Sequence, residues 1–144
     1  MEEIESPVNR LFGFVVEFAE QMLATSGEFF PFGGSITDTG EIAAAAGMAD
    51  DGSEHPNAQD VYRRAAQGLA SLVSRDDDVA AVVLVANVII PTELEPVAES
   101  GIRVHVEAPG FARMVYIPYD FTGEDQTVRL HEPVAVEIEA EFFD

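Results

Sequence analysis

The sequence contains no cysteine among its 144 residues. This absence excludes a disulfide framework, a thiolate zinc site, an iron–sulfur cluster and a cysteine nucleophile. Lysine is also absent: the seven basic residues are all arginine and stand against 27 aspartates and glutamates, so the formal net charge is −20. A phosphate-binding loop that depends on a lysine is therefore excluded as well.

The strong negative charge limits the partners that the protein can bind. A field of this sign repels the phosphates of nucleic acids and the headgroups of anionic membranes, so we expect neither as a partner. Two interpretations of the acidity stay open. It either keeps the protein soluble in a salt-rich or GC-rich organism, or it attracts another protein that carries a basic face.

The start of the sequence and its apolar runs carry no targeting signal. Residues 1–6 are acidic, whereas a secretory signal peptide begins with basic residues and continues with an apolar stretch. The longest apolar run, residues 79–90, is shorter than the roughly 20 residues that a membrane-spanning helix needs. We therefore expect a cytoplasmic protein.

The length and composition favour one globular domain over residues 1–144, with 47% hydrophobic residues. Helical spacing of apolar residues predicts a first helix over residues 7–25 and a second that opens at Pro56 and ends near Arg75. The segment 28–37, a turn of sequence DTGE and residues 42–46 predict a hairpin. Pro31 requires the first of these strands to lie at an edge, to be bulged, or to begin after the proline.

The second half of the sequence reads as strands. Residues 79–90 are apolar and β-branched, which is typical of a strand buried on both faces. Residues 102–108 and 134–142 alternate between apolar and polar, and strands are also predicted at 111–119 and 128–130. The fold class is therefore α+β: a single antiparallel sheet of five to six strands with two helices packed on one face, in the order α-β-β-α-β-β-β-β.

The titratable residues show no spacing typical of catalysis or of a metal site. His55, His105 and His131 lack the close pairing of a metal-binding motif, and we expect them at the surface or at element ends. The abundant carboxylates match no calcium-loop pattern. We therefore expect no catalytic residue, no metal and no cofactor.

Two groups of residues are candidates for a binding site. The first is an acidic stripe on the last strand, which either binds a basic partner or only discourages edge-to-edge aggregation: Glu137, Glu139 and Glu141, with Asp120, Glu124 and Asp125 as possible neighbours. The second is a pocket beside the aromatic hairpin: Glu28, Asp38, His105, Tyr116 and Tyr119. The ten phenylalanines also leave room for an exposed apolar patch, which predicts a homodimer.

The segment GEFFPFGGSI at residues 27–36, together with VYIPY at residues 115–119, resembles a widespread family of uncharacterised small bacterial proteins with a GEFxPFG-like segment. The resemblance implies a single domain and adds no catalytic residue. The order of helices and strands is also similar to the roadblock/longin-like dimer modules, although these close with a helix and residues 134–142 read as a strand. A similar fold does not by itself indicate a shared function.

From the sequence we expect a small acidic protein-interaction module, similar in role to an immunity protein or a secretion chaperone, rather than an enzyme. One alternative is a small enzyme or ligand-binding domain that uses the predicted pocket. Another is a nucleic-acid mimic, which requires the glutamates of the last strand to continue across neighbouring strands.

Overall fold

The fold is an antiparallel sheet with two helices, seen in a computed structural model that describes residues 7–27, 29, 31–46, 58–75, 78–122 and 127–143. The predicted α+β class is confirmed. The helices and strands follow one another along the chain in this order: α1 (Pro7–Ser26), β1 (Phe32–Thr37), β2 (Ile42–Ala46), α2 (Ala58–Arg75), β3 (Val79–Ile89), β4 (Ser100–Ala108), β5 (Phe111–Thr122), β6 (Thr127–Leu130) and β7 (Val134–Glu137).

The sheet has seven strands, more than the five to six predicted, in the order β2-β1-β3-β4-β5-β6, and β7 also pairs with β5. The β1–β2 hairpin closes through the predicted turn, in which Gly40 takes a φ of +94° and its N–H donates to the Thr37 carbonyl oxygen. Strand β1 begins directly after Pro31 and lies between β2 and β3, so the proline takes no part in the ladder.

Strands β6 and β7 together form one broken edge of the sheet. Strand β6 pairs with the second half of β5, and β7 pairs with its first half. The His131 N–H still donates to the Pro118 carbonyl oxygen at 2.8 Å, after which the register shifts by one residue before Val134 pairs with Tyr116. Glu132 and Pro133 lie in this break, where a residue without an N–H interrupts the ladder.

The two helices cover opposite faces of the sheet, so the prediction that both pack on one face is wrong. A Cβ atom on Gly33 would lie 3.2 Å from Leu69 of α2, whereas one on Gly34 would lie 3.4 Å from Val15 of α1. Because neighbouring residues of a strand point to opposite faces, the helices lie on either side of β1. This arrangement explains why the apolar run of β3 is buried on both faces, as its composition predicted.

The face under α1 holds the main core. Helix α1 buries a row of residues four apart, Leu11, Val15, Ala19 and Leu23, and packs against β1, β3, β4 and β6. Phe14 and Phe18 belong to the apolar stripe predicted from spacing, yet they lie on the outer side of the helix and are 43% and 39% exposed. No helix of the described residues is long and apolar enough to span a bilayer.

The opposite face is covered by α2 and by residues 138–143, the C-terminal segment. Helix α2 packs on Val82 and Leu84 of β3, and Phe142 and Phe143 pack against the same cluster. Strand β7 ends at Glu137, so the prediction of a strand over residues 134–142 is wrong beyond that residue. The chain instead turns back over the sheet, because the backbone N–H groups at residues 141–143 bind a carboxylate of β4.

Candidate functional site

The candidate site lies on β4, where residues on the face of α2 are polar although the face is covered. Alternation along the strand places Ile102, Val104 and Val106 in the main core and turns Arg103, His105 and Glu107 to the other side. His105 is 1% exposed and Glu107 is fully buried. The prediction that His105 lies at the surface is therefore wrong, because the C-terminal segment covers it.

Glu107 is held by backbone donors of the C-terminal segment. Its Oε2 accepts the N–H of Glu141 at 2.7 Å, and its Oε1 accepts the N–H groups of Phe142 at 2.8 Å and Phe143 at 3.1 Å. Three successive N–H groups that converge on one anion are typical of a backbone anion-binding site. The buried carboxylate and the end of the chain therefore satisfy each other's hydrogen-bonding groups.

These contacts keep Glu107 ionised in spite of its burial. Removal from water opposes ionisation and would raise the pKa of a carboxyl group. The backbone donors at Glu141 and Phe142, the His105 ring and the donor at Phe143 outweigh this effect, and the pKa of Glu107 lies below its ordinary value of 4.5. The site thus contains a buried negative charge at neutral pH.

The charge on Glu107 sets the tautomer of His105. The Nε2 atom of the ring lies 2.5 Å from Glu107 Oε2. An ionised carboxylate only accepts hydrogen bonds, so Nε2 must carry the hydrogen. The other ring nitrogen, Nδ1, is buried and has no hydrogen-bond partner among the described residues.

Glu141 completes the cluster from the exposed side. Its Oε2 lies 3.4 Å from His105 Nδ1, while its side chain is 68% exposed. One ligand atom each from His105, Glu107 and Glu141 lies within 4.8 Å of the others. The ring of Phe142 lies beside the imidazole, with 5.3 Å between their centroids, and shields it. The result is an imidazole between one buried and one solvated carboxylate.

The residues of the predicted pocket do not come together in the structure. Asp38 is exposed in the β1–β2 turn, where its N–H donates to the Asp78 carbonyl oxygen. Tyr119 lies in the main core under α1 and donates to Asn87 Oδ1 at 2.7 Å, on the face opposite to His105. Tyr116 lies beside Arg103 on the face of His105. Glu28 lies outside the described residues.

The predicted acidic stripe is divided rather than continuous. Glu137 is 83% exposed and lies 3.6 Å from Arg113, its cross-strand neighbour on β5. Glu139 is exposed beyond the end of β7, and Glu141 turns to the other face beside His105. The three glutamates do not share one face because the strand ends before Glu139.

Asp120, one of the possible neighbours of the stripe, belongs to a separate surface cluster. It accepts two hydrogen bonds from Arg129, at 3.1 and 3.2 Å, and lies 3.0 Å from His131 Nε2. These two partners lower the pKa of the Asp120 carboxyl group. Its charge is therefore balanced locally and adds little to the acidic stripe. Glu124 and Asp125, the other predicted neighbours, lie outside the described residues.

A shallow apolar groove lies at the end of the sheet near the β3–β4 connection. It has a volume of about 360 Å³ and is lined by proline and valine side chains together with His131, Glu95 and Glu132. Val97 on its rim is 74% exposed. The groove contains none of the residues of the predicted pocket, although Pro118 in its wall lies between Tyr116 and Tyr119 in the sequence.

Sequence reasoning missed Glu107, the residue that organises the site. Its position on the polar side of an alternating strand predicts exposure, and only the fold brings residues 141–143 over it. One signal was present: Phe142 and Phe143 follow the last glutamate, and two aromatic side chains at the end of an acidic segment favour packing of that segment on the domain.

Comparison with known proteins identifies no relative: no family model, no curated protein and no solved structure matches this chain. The resemblance to the GEFxPFG family and to the roadblock/longin-like modules stays a prediction.

We predict that Glu107→Gln lowers the free energy of unfolding by about 3 kcal/mol at pH 7, because a neutral amide presents N–H groups toward donors that need an acceptor. Because the pKa of Glu107 is lower in the folded protein than its ordinary value of 4.5, the stabilisation by its charge is fully present above pH 4.5. This stabilisation is lost as the pH falls below that value and Glu107 becomes protonated. Urea unfolding of both proteins, with a chelator present, should therefore give curves that converge below pH 4.5.

Glu139→Gln is the matched control, since it removes the same charge from an exposed position. A stability difference for Glu107→Gln that is absent at pH 7, or that stays constant into acid, would contradict this assignment.

Proposed function

We propose that the protein is an interaction module that binds a basic segment of another protein along its acidic edge, defined as residues 132–139. The observation that carries the proposal is the chemistry of this edge. Within the part of the chain that the structure describes, β7 pairs only with β5, so its outer backbone groups have no partner strand. Exposed glutamates lie at residues 132, 137 and 139 of this segment, whereas Glu141 turns away toward His105.

An unpaired edge strand binds extended peptides by adding a strand to the sheet. Backbone hydrogen bonds then supply affinity, and side chains at every second residue supply specificity. Glu137 ends β7, and Glu139 lies two residues beyond it and is also exposed. A partner with basic residues at alternate positions can therefore place one cation near each glutamate. The net charge of −20 steers such a partner toward the protein over longer distances. This chemistry suits a partner of the kind that immunity proteins and secretion chaperones bind.

Two other functions receive less support. A small enzyme or ligand-binding domain would need the predicted pocket, whose described members lie apart. A nucleic-acid mimic would need carboxylates in a row across the strands. The cross-strand neighbour of Glu137 on β5 is Arg113, and the neighbour of Arg113 on β4 is Val106. Neither is a carboxylate, so no row of carboxylates crosses these strands.

The opposite edge of the sheet has different chemistry and supports the expectation of a homodimer. Strand β2 reads Ile-Ala-Ala-Ala-Ala, and among the described residues it pairs only with β1. Edges that proteins protect from pairing carry charges or prolines, and this strand has neither. Because two copies with a charge of −20 repel each other, they can approach closely only at a surface without acidic residues.

An exposed aromatic pair lies near this uncharged edge. Phe14 and Phe18 stack with 6.4 Å between ring centroids, and Phe18 contacts Phe32 edge-on at 5.2 Å. Phe32 pairs with Ala46 of β2. If a second copy pairs its β2 with this β2, the exposed aromatic pair therefore lies beside the strand pairing and offers the second copy an apolar surface.

We predict that a short peptide of alternating arginine and threonine binds more tightly than one of the same composition with its arginines in one block. Glu137→Gln/Glu139→Gln should weaken binding of the alternating peptide by about 2- to 30-fold, since each of the two exposed ion pairs contributes roughly 0.2–1 kcal/mol. Fluorescence anisotropy at low and high salt measures both effects.

Glu93→Gln/Glu99→Gln is the matched control, since it removes two exposed acidic charges away from the edge. If both double variants weaken peptide binding equally, or if the parent protein binds both peptides with equal affinity, the interaction is general charge attraction. Either result would reject the acidic edge as a binding site.

For the dimer, we predict that Ala43→Lys converts the protein to a monomer, because Ala43 is exposed on β2 and a charge on an edge strand prevents pairing. Light scattering coupled to gel filtration measures the mass. Gln67→Lys adds the same charge to an exposed position of α2 and should leave the dimer intact. A monomeric parent protein, or an Ala43→Lys variant that stays dimeric, would refute this interface.

A further inference from the structure

His105 Nδ1 is a buried nitrogen atom without a hydrogen-bond partner among the described residues. Because Nε2 donates to Glu107, Nδ1 carries a lone pair in the neutral ring. A buried polar atom without a partner is costly to the fold, so such atoms are rare unless a water or an ion satisfies them. The solvated carboxylate of Glu141 lies 3.4 Å from this nitrogen atom.

The separation between the two atoms agrees with that of two ligands of one metal ion. Zinc binds imidazole nitrogen at about 2.0–2.1 Å and carboxylate oxygen at about 2.0–2.2 Å with tetrahedral angles, which places the two ligand atoms about 3.4 Å apart. His105 Nδ1 and Glu141 Oε2 lie 3.4 Å apart.

Glu107 supports such a site without being a ligand. Both of its oxygens already accept hydrogen bonds, from His105 Nε2 and from the backbone N–H groups of the C-terminal segment. Histidines that bind metals usually donate their other ring N–H to a carboxylate, which fixes the tautomer and makes the free nitrogen more basic. Glu107 is the carboxylate that accepts this N–H from His105. It also binds the N–H of Glu141, which places that residue beside the ring.

We propose that His105 Nδ1 and Glu141 Oε2 bind a divalent transition-metal ion of the zinc class. Imidazole and carboxylate together suit Zn²⁺, Ni²⁺ and Cu²⁺, whereas Ca²⁺ and Mg²⁺ need a shell of oxygen ligands. The Glu141 side chain is 68% exposed, so water completes the coordination from the solvent side. The ion joins β4 to the C-terminal segment and thereby stabilises the covered face. This site is independent of partner binding at the acidic edge.

Calorimetric titration of the chelator-treated protein with ZnCl₂ and with NiCl₂ tests the proposal, and CaCl₂ serves as the comparison ion. Zinc should bind with a stoichiometry of one ion per chain at concentrations below about 0.1 mM, and calcium should not. Glu141→Gln should weaken zinc binding by about tenfold or more, because a neutral amide is a poor zinc ligand. Its backbone N–H to Glu107 remains, so its unfolding curve in chelator should match that of the parent protein.

Glu139→Gln is the matched control, with the same charge removed two residues away, and should bind zinc as the parent does. Nitrogen NMR of the imidazoles gives a second readout that needs no variant: zinc should shift the Nδ1 signal of His105 and leave its Nε2 protonated. No zinc binding up to about 1 mM, equal affinity in Glu141→Gln, or a shift confined to another histidine would overturn the proposal and leave an ordinary ion pair.

Discussion

The buried carboxylate of Glu107 is the constraint on which this face of the molecule depends. A charge in the interior is stable only where donors replace the lost water, and here the donors are three successive backbone N–H groups at the end of the chain together with one imidazole. The end of the last strand, the burial of His105 and the position of Glu141 all follow from this requirement. The C-terminal segment is thus part of the domain rather than an appendage to it.

The placement of α1 and α2 on opposite faces leaves the two edges of the sheet as the surfaces on which partners can act. One edge, β2, is uncharged, and the other carries glutamates in and around β7. Because charge of one sign dominates the molecule, these edges suit different partners. A second copy can approach the uncharged edge, and a basic chain is attracted to the acidic one. The cluster around His105 belongs to neither edge, and the ligand proposed for it is a metal ion and not a protein.

Local patterns in the sequence predicted most of the elements and little of the site. The apolar run of β3 and the helical spacing of α1 depend on neighbouring residues, so their class and bounds agree with the structure. The alternation around His105 predicted a surface residue, because no local pattern reveals that a segment more than 30 residues later covers this face. The same contact ends β7 early and divides the glutamates that alternation had placed in one row.

Hydrogen exchange of the backbone amides at Glu141, Phe142 and Phe143 tests the central claim most directly. If these amides bind the Glu107 carboxylate, their exchange should be slowed to a degree comparable with the amides of β7, and Glu107→Gln should abolish the protection at these three positions first. Amides that exchange in the parent protein as fast as those of an unstructured chain would contradict the account, because the C-terminal segment would then not be held by the buried charge.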